Sequence, residues 1–385
     1  MRFYALLALV PLALAAPSRR ASPAPLYVPQ NSLIQGKYIV KLHDNANAKA
    51  LHIAMAASKP DHVYDVPGFK GFASTLTAAE LKNLQDHPDV DFIEQDSIMR
   101  IASYITQSNP PWGLGRISHR SGTNTYIYDD SAGSGTCAYI IDTGIYTAHP
   151  EFEGRATFLA NFIDNSNTDG NGHGTHVSGT VGSKSYGVAK KTKLYAVKVL
   201  DASGSGSTSG VLAGMNFVTG DSQSRDCPNG SVANMSLGSG KSTAVNAAGR
   251  AMIAAGVFLA VAAGNNNGDA ANMSPASEPD LCTVGASTLT DARASFSNYG
   301  TVVDVFAPGQ AVLSTWNDGG TNTISGTSMA SPHIAGLGAY LLSLEGQRDP
   351  QSLCDYIAEI GTTNVLSGIP NDTINSLAFN DNPSG

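Results

Sequence analysis

Three side chains in this sequence could act together on an amide bond. Asp142 closes the apolar run AYIID, His173 lies in the glycine-rich segment DGNGHGTH, and Ser328 lies in SGTSMASPH (325–333), just ahead of the run IAGLGAYLLSL. Each alone has an ordinary explanation. An aspartate after a strand is usually a turn former or helix cap, a serine before a helix is usually an N-cap, and a lone histidine is usually structural. Together they form the set that acyl transfer requires. Serine at its own pKa is a weak nucleophile, histidine can take its proton near neutral pH, and a carboxylate fixes the imidazole tautomer.

Rival readings fail on the residues. Asp142-Thr143-Gly144 spells an aspartic-protease signature, but that chemistry needs two carboxylates sharing a proton, and the chain holds no second Asp-Thr-Gly or Asp-Ser-Gly. His173 and His176 are close enough to suggest zinc, yet no HExxH glutamate lies between them. The chain order Asp, His, Ser is neither that of α/β-hydrolases, which begin with serine, nor that of chymotrypsin-like enzymes, which begin with histidine.

The segments IIDTGI (140–145), GHGTHVSGT (172–180), AAGNNNGDA (262–270) and SGTSMASPH in this order resemble the subtilisin-like serine proteases, in particular the secreted fungal proteinase K type. The resemblance runs through PPWGLGRIS (110–118) and covers the chain almost end to end. It implies a secreted endopeptidase with Ser328 as nucleophile, His173 as base and Asp142 as orienter. Asn265 and the backbone N–H of Ser328 are then the oxyanion donors. The resemblance assigns Ser236-Leu237-Gly238 and Ala262-Ala263-Gly264 to the walls of the primary specificity pocket, and Gly204-Ser205-Gly206 to the edge that pairs with extended substrate. Those walls carry no acid, so a preference for large apolar or aromatic residues before the scissile bond is expected. A structural calcium bound by Asp304 and the carbonyls of Pro279 and Leu281 is also implied. A second calcium is not expected, because Val365 stands where the family has an acid. Val177 replaces a free cysteine of the family. A binding or inhibitory protein on a dead scaffold is the alternative, against which the intact set of four residues argues.

Strands and helices alternate around these residues. The runs CAYIID (137–142), KLYAVKVL (193–200), SVANMSL (231–237), GVFLAVAA (256–263) and LCTVGAS (281–287) are nearly continuous, as strands buried on both faces are. GTHVSGTVG, SGVLAGMNFV and STAVNAAGRAMIAA read as helices between them. The expected fold class is α/β, a mostly parallel sheet flanked by helices, whose ligands meet the carboxyl ends of the strands. Residues 17–104 read differently, as a small α+β, ferredoxin-like unit: KYIVKL, a helix-like ANAKALHIAMAASK, an extended GFKGFASTL, a helix opening at the capping box Thr77 to Glu80, and DVDFIEQD. By the resemblance this unit is an inhibitory propeptide. Cleavage between Tyr104 and Ile105 is expected to release a catalytic domain of residues 105–385, with the propeptide as folding template, inhibitor and first substrate.

Residues 1–16 have a basic start at Arg2, a short apolar stretch and small residues at Ala13, Ala15 and Ala16, which predicts a secretory signal and an extracellular product. No later run of about 20 apolar residues is uninterrupted, so no membrane anchor is expected. A net charge of -8 without a dense Lys/Arg cluster argues against a nucleic-acid groove. The expected partners are polypeptide substrates and the chain's own propeptide, with the enzyme a monomer needing no catalytic cofactor. Export permits disulfides, and four cysteines allow two bridges in three pairings. The resemblance implies Cys137 to Cys227 and Cys282 to Cys354. Sequons at Asn229, Asn272 and Asn371 are candidates for N-glycosylation, whereas Asn234 lies in an expected core strand.

Overall fold

The apolar runs form strands at the expected places. The computed structural model describes residues 22–29, 33–46, 59–97 and 103–385. It divides into two compact units, Met1–Met99 and Arg100–Gly385. The signal segment 1–16 and nearly all of the expected helix ANAKALHIAMAASK lie outside the described residues.

The smaller unit is a five-stranded sheet with one described helix. Its strands are β1 (Leu26–Tyr27), β2 (Leu33–Leu42), β3 (Pro60–Val66), β4 (Phe69–Thr75) and β5 (Val90–Ser97), in the order β1-β5-β2-β4-β3. Helix α1 (Ala78–Gln85) begins where expected. The Thr77 hydroxyl accepts from Glu80 N, and the Glu80 carboxylate accepts from Thr77 N at 2.7 Å, so the capping box is complete. Strand β3, which pairs with β4, was not expected from the sequence, because PDHVYDV lacks a sustained apolar run. Val40, Leu42, Phe72, Leu84, Val90 and Ile93 make the core of this unit.

The larger unit opens with the hairpin pair β6 (Tyr104–Ser108) and β7 (Thr125–Asp129), with α2 (Trp112–Ile117) between them. Next come β8 (Cys137–Asp142), β9 (Ala156–Asn161), α3 (His173–Gly182), β10 (Lys193–Lys198), α4 (Thr208–Asp221) and β11 (Ser231–Met235). After them lie β12 (Ser239–Gly240), α5 (Thr243–Ala254), β13 (Val257–Ala262), β14 (Met273–Ser274), β15 (Cys282–Ser287) and β16 (Val305–Pro308). The chain ends with β17 (Val312–Thr315), β18 (Thr321–Ile324), α6 (Thr327–Glu345), α7 (Pro350–Ile360), β19 (Thr362–Thr363) and β20 (Ser376–Leu377). Every expected strand and helix of this unit is present, displaced by a few residues at most.

Nine strands form the main sheet in the order β19-β20-β16-β15-β13-β11-β8-β10-β9, with only β19 antiparallel to its neighbour. Side chains alternate between two apolar layers. Ala138 and Ile140 of β8 lie in the layer that also holds residues of α3, α6 and α7, whereas Tyr139 and Ile141 lie in the layer that holds residues of α4 and α5. Helix α6 is buried on nearly all sides from Thr327 to Ser343, which explains why its sequence is apolar without a polar stripe. Strand order reverses beside β8, with β10 and β9 on one side and β11 onward on the other. The carboxyl end of β8 is therefore the place where a crevice opens.

Disulfides join Cys137 to Cys227 and Cys282 to Cys354, the pairing that the resemblance implied. Cys137 and Cys282 are the first residues of β8 and β15, so the cross-links lie at the ends of these strands away from the crevice. Closing loops of 90 and 72 residues constrains the unfolded chain. In the chain-entropy picture each bridge contributes up to about 4 to 5 kcal/mol.

Candidate active site

The two helices that carry His173 and Ser328 begin without a side-chain cap. Their N-cap residues are Gly172 and Gly326, whereas α4, α5 and α7 are capped by Ser207, Ser242 and Asp349. First-turn N–H groups in α3 and α6 are thus left for other partners.

Asp142 ends β8 and is fully buried. Its carboxylate accepts from Thr143 N at 2.7 Å and lies 2.8 and 3.0 Å from His173 Nδ1. Facing a carboxylate, Nδ1 carries the proton and Nε2 is left as the basic nitrogen. Burial by itself would lower the His173 pKa, but the charge and hydrogen bond of Asp142, helped by Asp169, outweigh it and hold the value above that of a free histidine. Helix α3 can come this close because Gly174 has no side chain. A Cβ there would stand 2.0 Å from Gly144 O. His176, one turn on, donates through Nε2 to the carbonyls of Val312 or Asn322, and burial pushes its pKa down to about 4, which fits the structural role expected of it.

Ser328 is the second residue of α6. Its hydroxyl donates to Ser236 O at 3.1 Å, and the Ser236 hydroxyl donates back to Ser328 O at 2.8 Å. Among the described residues there is no hydrogen bond from Ser328 Oγ to His173; the hydroxyl is bonded through its proton to the Ser236 carbonyl. Attack requires that proton to pass to Nε2.

Asn265 is oriented by Thr327. Its Oδ1 accepts from Thr327 N at 2.8 Å and from Thr327 Oγ1 at 2.9 Å, and Thr327 Oγ1 in turn accepts from Gly264 N. With the oxygen engaged, the amide Nδ2–H faces the other way. A point at the position of a Cβ on Gly326 lies 3.5 Å from both Asn265 Nδ2 and Ser328 N. Asn265 Nδ2 and Ser328 N thus lie near one small space beside the serine, with Asn265 Oδ1 at 3.7 Å from the same point but already engaged by Thr327.

The cleft beside this centre has two parts. A cavity of about 520 Å³ is lined by His173, Leu200, Gly204, Ser205, Gly206, Val211 and Leu237, among others. A second, about 210 Å³, is bounded by Ser236, Leu237, Gly238, Ala262, Gly264, Met273 and Ser274 and opens onto Asn265 and Ser328. Among the described residues no acid lines either cavity. One assignment is corrected: the Ala263 side chain is turned into the core with Val303 and Phe306 and forms no wall. Met273 and Ser274 take part in its place. Sequence reasoning missed them because they reach the pocket only when β14 pairs with β12.

Tyr104 and Ile105 are not brought to the cleft. They lie in β6, opposite Asp129 and Tyr128 of β7, and Tyr104 is surrounded by Asp129, Glu345 and Asp381. Backbone hydrogen bonds to β7 hold this segment, so attack on the bond between them requires it to leave β7.

Asp304 lines a cavity of about 430 Å³ with Asp355 and Glu359. Burial above all, with a contribution from Asp355, raises its pKa to about 7, against a hydrogen bond from Thr283 N. Pro279 and Leu281 lead into β15, whose Thr283 holds the acid. Among the described residues Asp304 forms no ion pair, and a half-buried carboxylate sharing a cavity with the acids Asp355 and Glu359 fits a hard divalent cation.

Comparison with known proteins gives the class. Residues 133–364 match the Subtilase family and residues 37–102 match Peptidase inhibitor I9, and the chain belongs to the subtilase family. It is a serine endopeptidase made with an inhibitor-type propeptide. It is 61% identical to the cuticle-degrading protease of Metarhizium anisopliae over 99% of this chain and 100% of that protein. It is 52% identical to proteinase R of Parengyodontium album over 99% of each. The structure of a cold adapted subtilisin-like serine proteinase superimposes with a TM-score of 0.67 at 46% identity, covering 71% of this chain and 99% of that one.

The oxyanion geometry yields a test at Gly326. Its φ of 161° is extended backbone that alanine adopts, and the nearest atoms to an added Cβ are at 3.5 Å, so Gly326→Ala should fold with a thermal midpoint near that of the wild type. The methyl would occupy the space between the two donors. Steady-state kinetics should show kcat reduced about 100-fold, as when one oxyanion donor is lost.

Proposed function

We propose that this protein is a secreted endopeptidase of broad specificity that processes its own precursor and favours large apolar or aromatic residues before the scissile bond. The observation that carries the reading is that the Asp142–His173 pair borders one part of a two-part cleft and Ser328 and Asn265 border the other, with no acid among the described lining residues.

In this mechanism His173 Nε2 takes the Ser328 proton as Oγ attacks the carbonyl carbon. Asp142 stabilises the imidazolium, and the developing oxyanion is held by Asn265 Nδ2 and Ser328 N. His173 then gives the proton to the leaving amine, and water repeats the sequence on the acyl-enzyme. The Gly204-Ser205-Gly206 edge would hold substrate as an added strand. Asp201 supports that edge by accepting from Ser203 N and Ser205 N. As first substrate the chain is cut after Tyr104, leaving residues 105–385 as a monomeric enzyme. Export is supported by the character of residues 1–16 and by the two disulfides. Among the described residues no helix is long and apolar enough to cross a membrane. Of the sequons, Asn272 and Asn371 are exposed and open to a glycan, whereas Asn229 donates its amide to Ser134 O and Asn234 is fully buried.

Comparison of the wild type with Ser328→Ala tests the assignment. The wild type should cleave casein and carry a new N-terminus at Ile105; the alanine variant should do neither. An alanine variant that matures by itself and cleaves casein would overturn the reading.

Specificity follows from the neutral pocket. Wild-type kcat/KM should be higher for Phe or Leu than for Lys before the scissile bond, and Met273→Glu should improve Lys relative to Phe by about 10-fold or more in a peptide panel.

Calcium at Asp304 completes the proposal, with the carbonyls of Pro279 and Leu281 as further ligands and a stabilising role. In the metal-free protein Asp304 holds its proton to about pH 7, whereas in the unfolded chain it loses it near 4. Between these values the folded state binds the extra proton, so metal-free stability falls as pH rises, and bound calcium offsets that loss. Chelation should therefore lower the thermal midpoint more at pH 8 than at pH 5, with calcium but not sodium restoring it. Equal effects at both pH values would count against Asp304 as a ligand.

A further inference from the structure

One buried acid near the catalytic centre has no part in the mechanism above. Asp169 lies in the loop before α3 and is 4% exposed. Among the described residues it forms no ion pair. Five groups donate to it instead. Thr143 Oγ1 (2.8 Å), Asn171 N (3.0 Å) and Gly172 N (2.8 Å) reach Oδ1, and Thr175 N (2.8 Å) and Thr175 Oγ1 (2.6 Å) reach Oδ2.

These donors come from both sides of the catalytic pair. Thr143 follows Asp142 at the end of β8, and its hydroxyl also accepts from Gly174 N at 2.9 Å, next to His173. Thr175 lies two residues after His173, and its hydroxyl accepts from Tyr146 N. Gly172 cannot cap α3 with a side chain, so Asp169 does this from four residues upstream, where a negative charge also meets the positive end of the helix.

We propose that Asp169 is a positioning residue for the reaction: through Thr143 and Thr175 it clamps the start of α3 to the end of β8, and so holds the His173 imidazole on the Asp142 carboxylate. Its charge also supports the imidazolium that forms during catalysis. This inference rests on the protease assignment and deepens it.

The other charged and titratable groups around His173 are few. Asp142 meets it from β8. Lys198 of β10 is in register with Asp142 and donates to Thr143 O at 2.9 Å. His176 on α3 and His333 on α6 are held near 4 by burial and are neutral at working pH. His149 and Glu151, in the turn that packs on α3, are engaged with Gly320 O and with Ser185. Strand β17, also packed on α3, presents no charge. Removing the Asp169 charge therefore leaves Asp142 as the main support of the imidazolium.

The test uses the full chain carrying Asp169→Asn, Thr143→Val or Thr143→Ser. Each variant is matured in trans by wild-type enzyme where it does not process itself. Turnover is expressed per serine titrated with an active-site reagent. For Asp169→Asn, kcat should fall roughly 10- to 100-fold with KM within about threefold, as for a misplaced catalytic group. The acid limb of its pH profile should move to lower pH, because losing a neighbouring negative charge makes the imidazolium easier to deprotonate. Thr143→Val breaks the link without touching the charge, so kcat should drop about 10-fold with the acid limb in place, and Thr143→Ser should restore it. If Asp169→Asn yields no folded enzyme, the Thr143 pair decides.

Turnover per titrated serine and an acid limb both equal to wild type in Asp169→Asn, or wild-type turnover in Thr143→Val, would overturn the inference. Activity retained in Ser328→Ala would instead overturn the protease assignment beneath it.

Discussion

The hydrogen bond between a fully buried carboxylate and the first side chain of a helix is the constraint on which the active site depends. Asp142 cannot be left at the end of a central strand without donors, since an unpaired buried charge is costly. His173 supplies one donor, but only if α3 begins within reach of β8. Much of the local sequence serves that condition. Gly174 lets the backbones touch, Thr143 bridges them, and Lys198 fixes the carbonyls of Thr143 and Leu200 at 2.9 and 2.5 Å.

A similar economy operates at α6. A helix N-terminus normally satisfies its free N–H groups with a capping side chain. Here the N-cap Gly326 has no capping side chain, Asn265 takes the N–H of Thr327, and among the described residues the N–H of Ser328 has no hydrogen-bond partner, which suits the oxyanion role proposed for it. Neither helix has a side-chain cap at its N-cap residue, and each start is completed by a polar residue from elsewhere: Asp169, a few residues upstream, for α3, and Asn265, from a distant segment, for α6. Function uses the backbone groups that stability alone would have capped locally.

Rigidity is concentrated away from the chemistry. The disulfides begin at Cys137 and Cys282, the first residues of strands whose other ends face the cleft. Bridges there restrict the unfolded chain and brace the sheet without crossing the groove where a substrate strand must lie. Asp304, close to the second bridge, is placed similarly, just before β16 and bonded to Thr283 near the start of β15.

By itself the sequence determined the class and the alternation of strands and helices, and it singled out Asp142, His173, Asn265 and Ser328 as the residues proposed to act. Buried parallel strands are written as unbroken apolar runs, and the catalytic residues lie in short segments whose order discriminates between families. Tertiary structure decided what depends on distant segments meeting. It placed Met273 and Ser274 in the pocket, turned Ala263 inward, held Tyr104 and Ile105 against β7, and parked the Ser328 hydroxyl on Ser236. Asp169 is the clearest case. It stands in the DGNGHGTH run in plain view, yet a lone aspartate beside glycine reads as a turn residue. Only burial without a cation, and donors drawn from both β8 and α3, distinguish it, and neither property exists until the chain has folded.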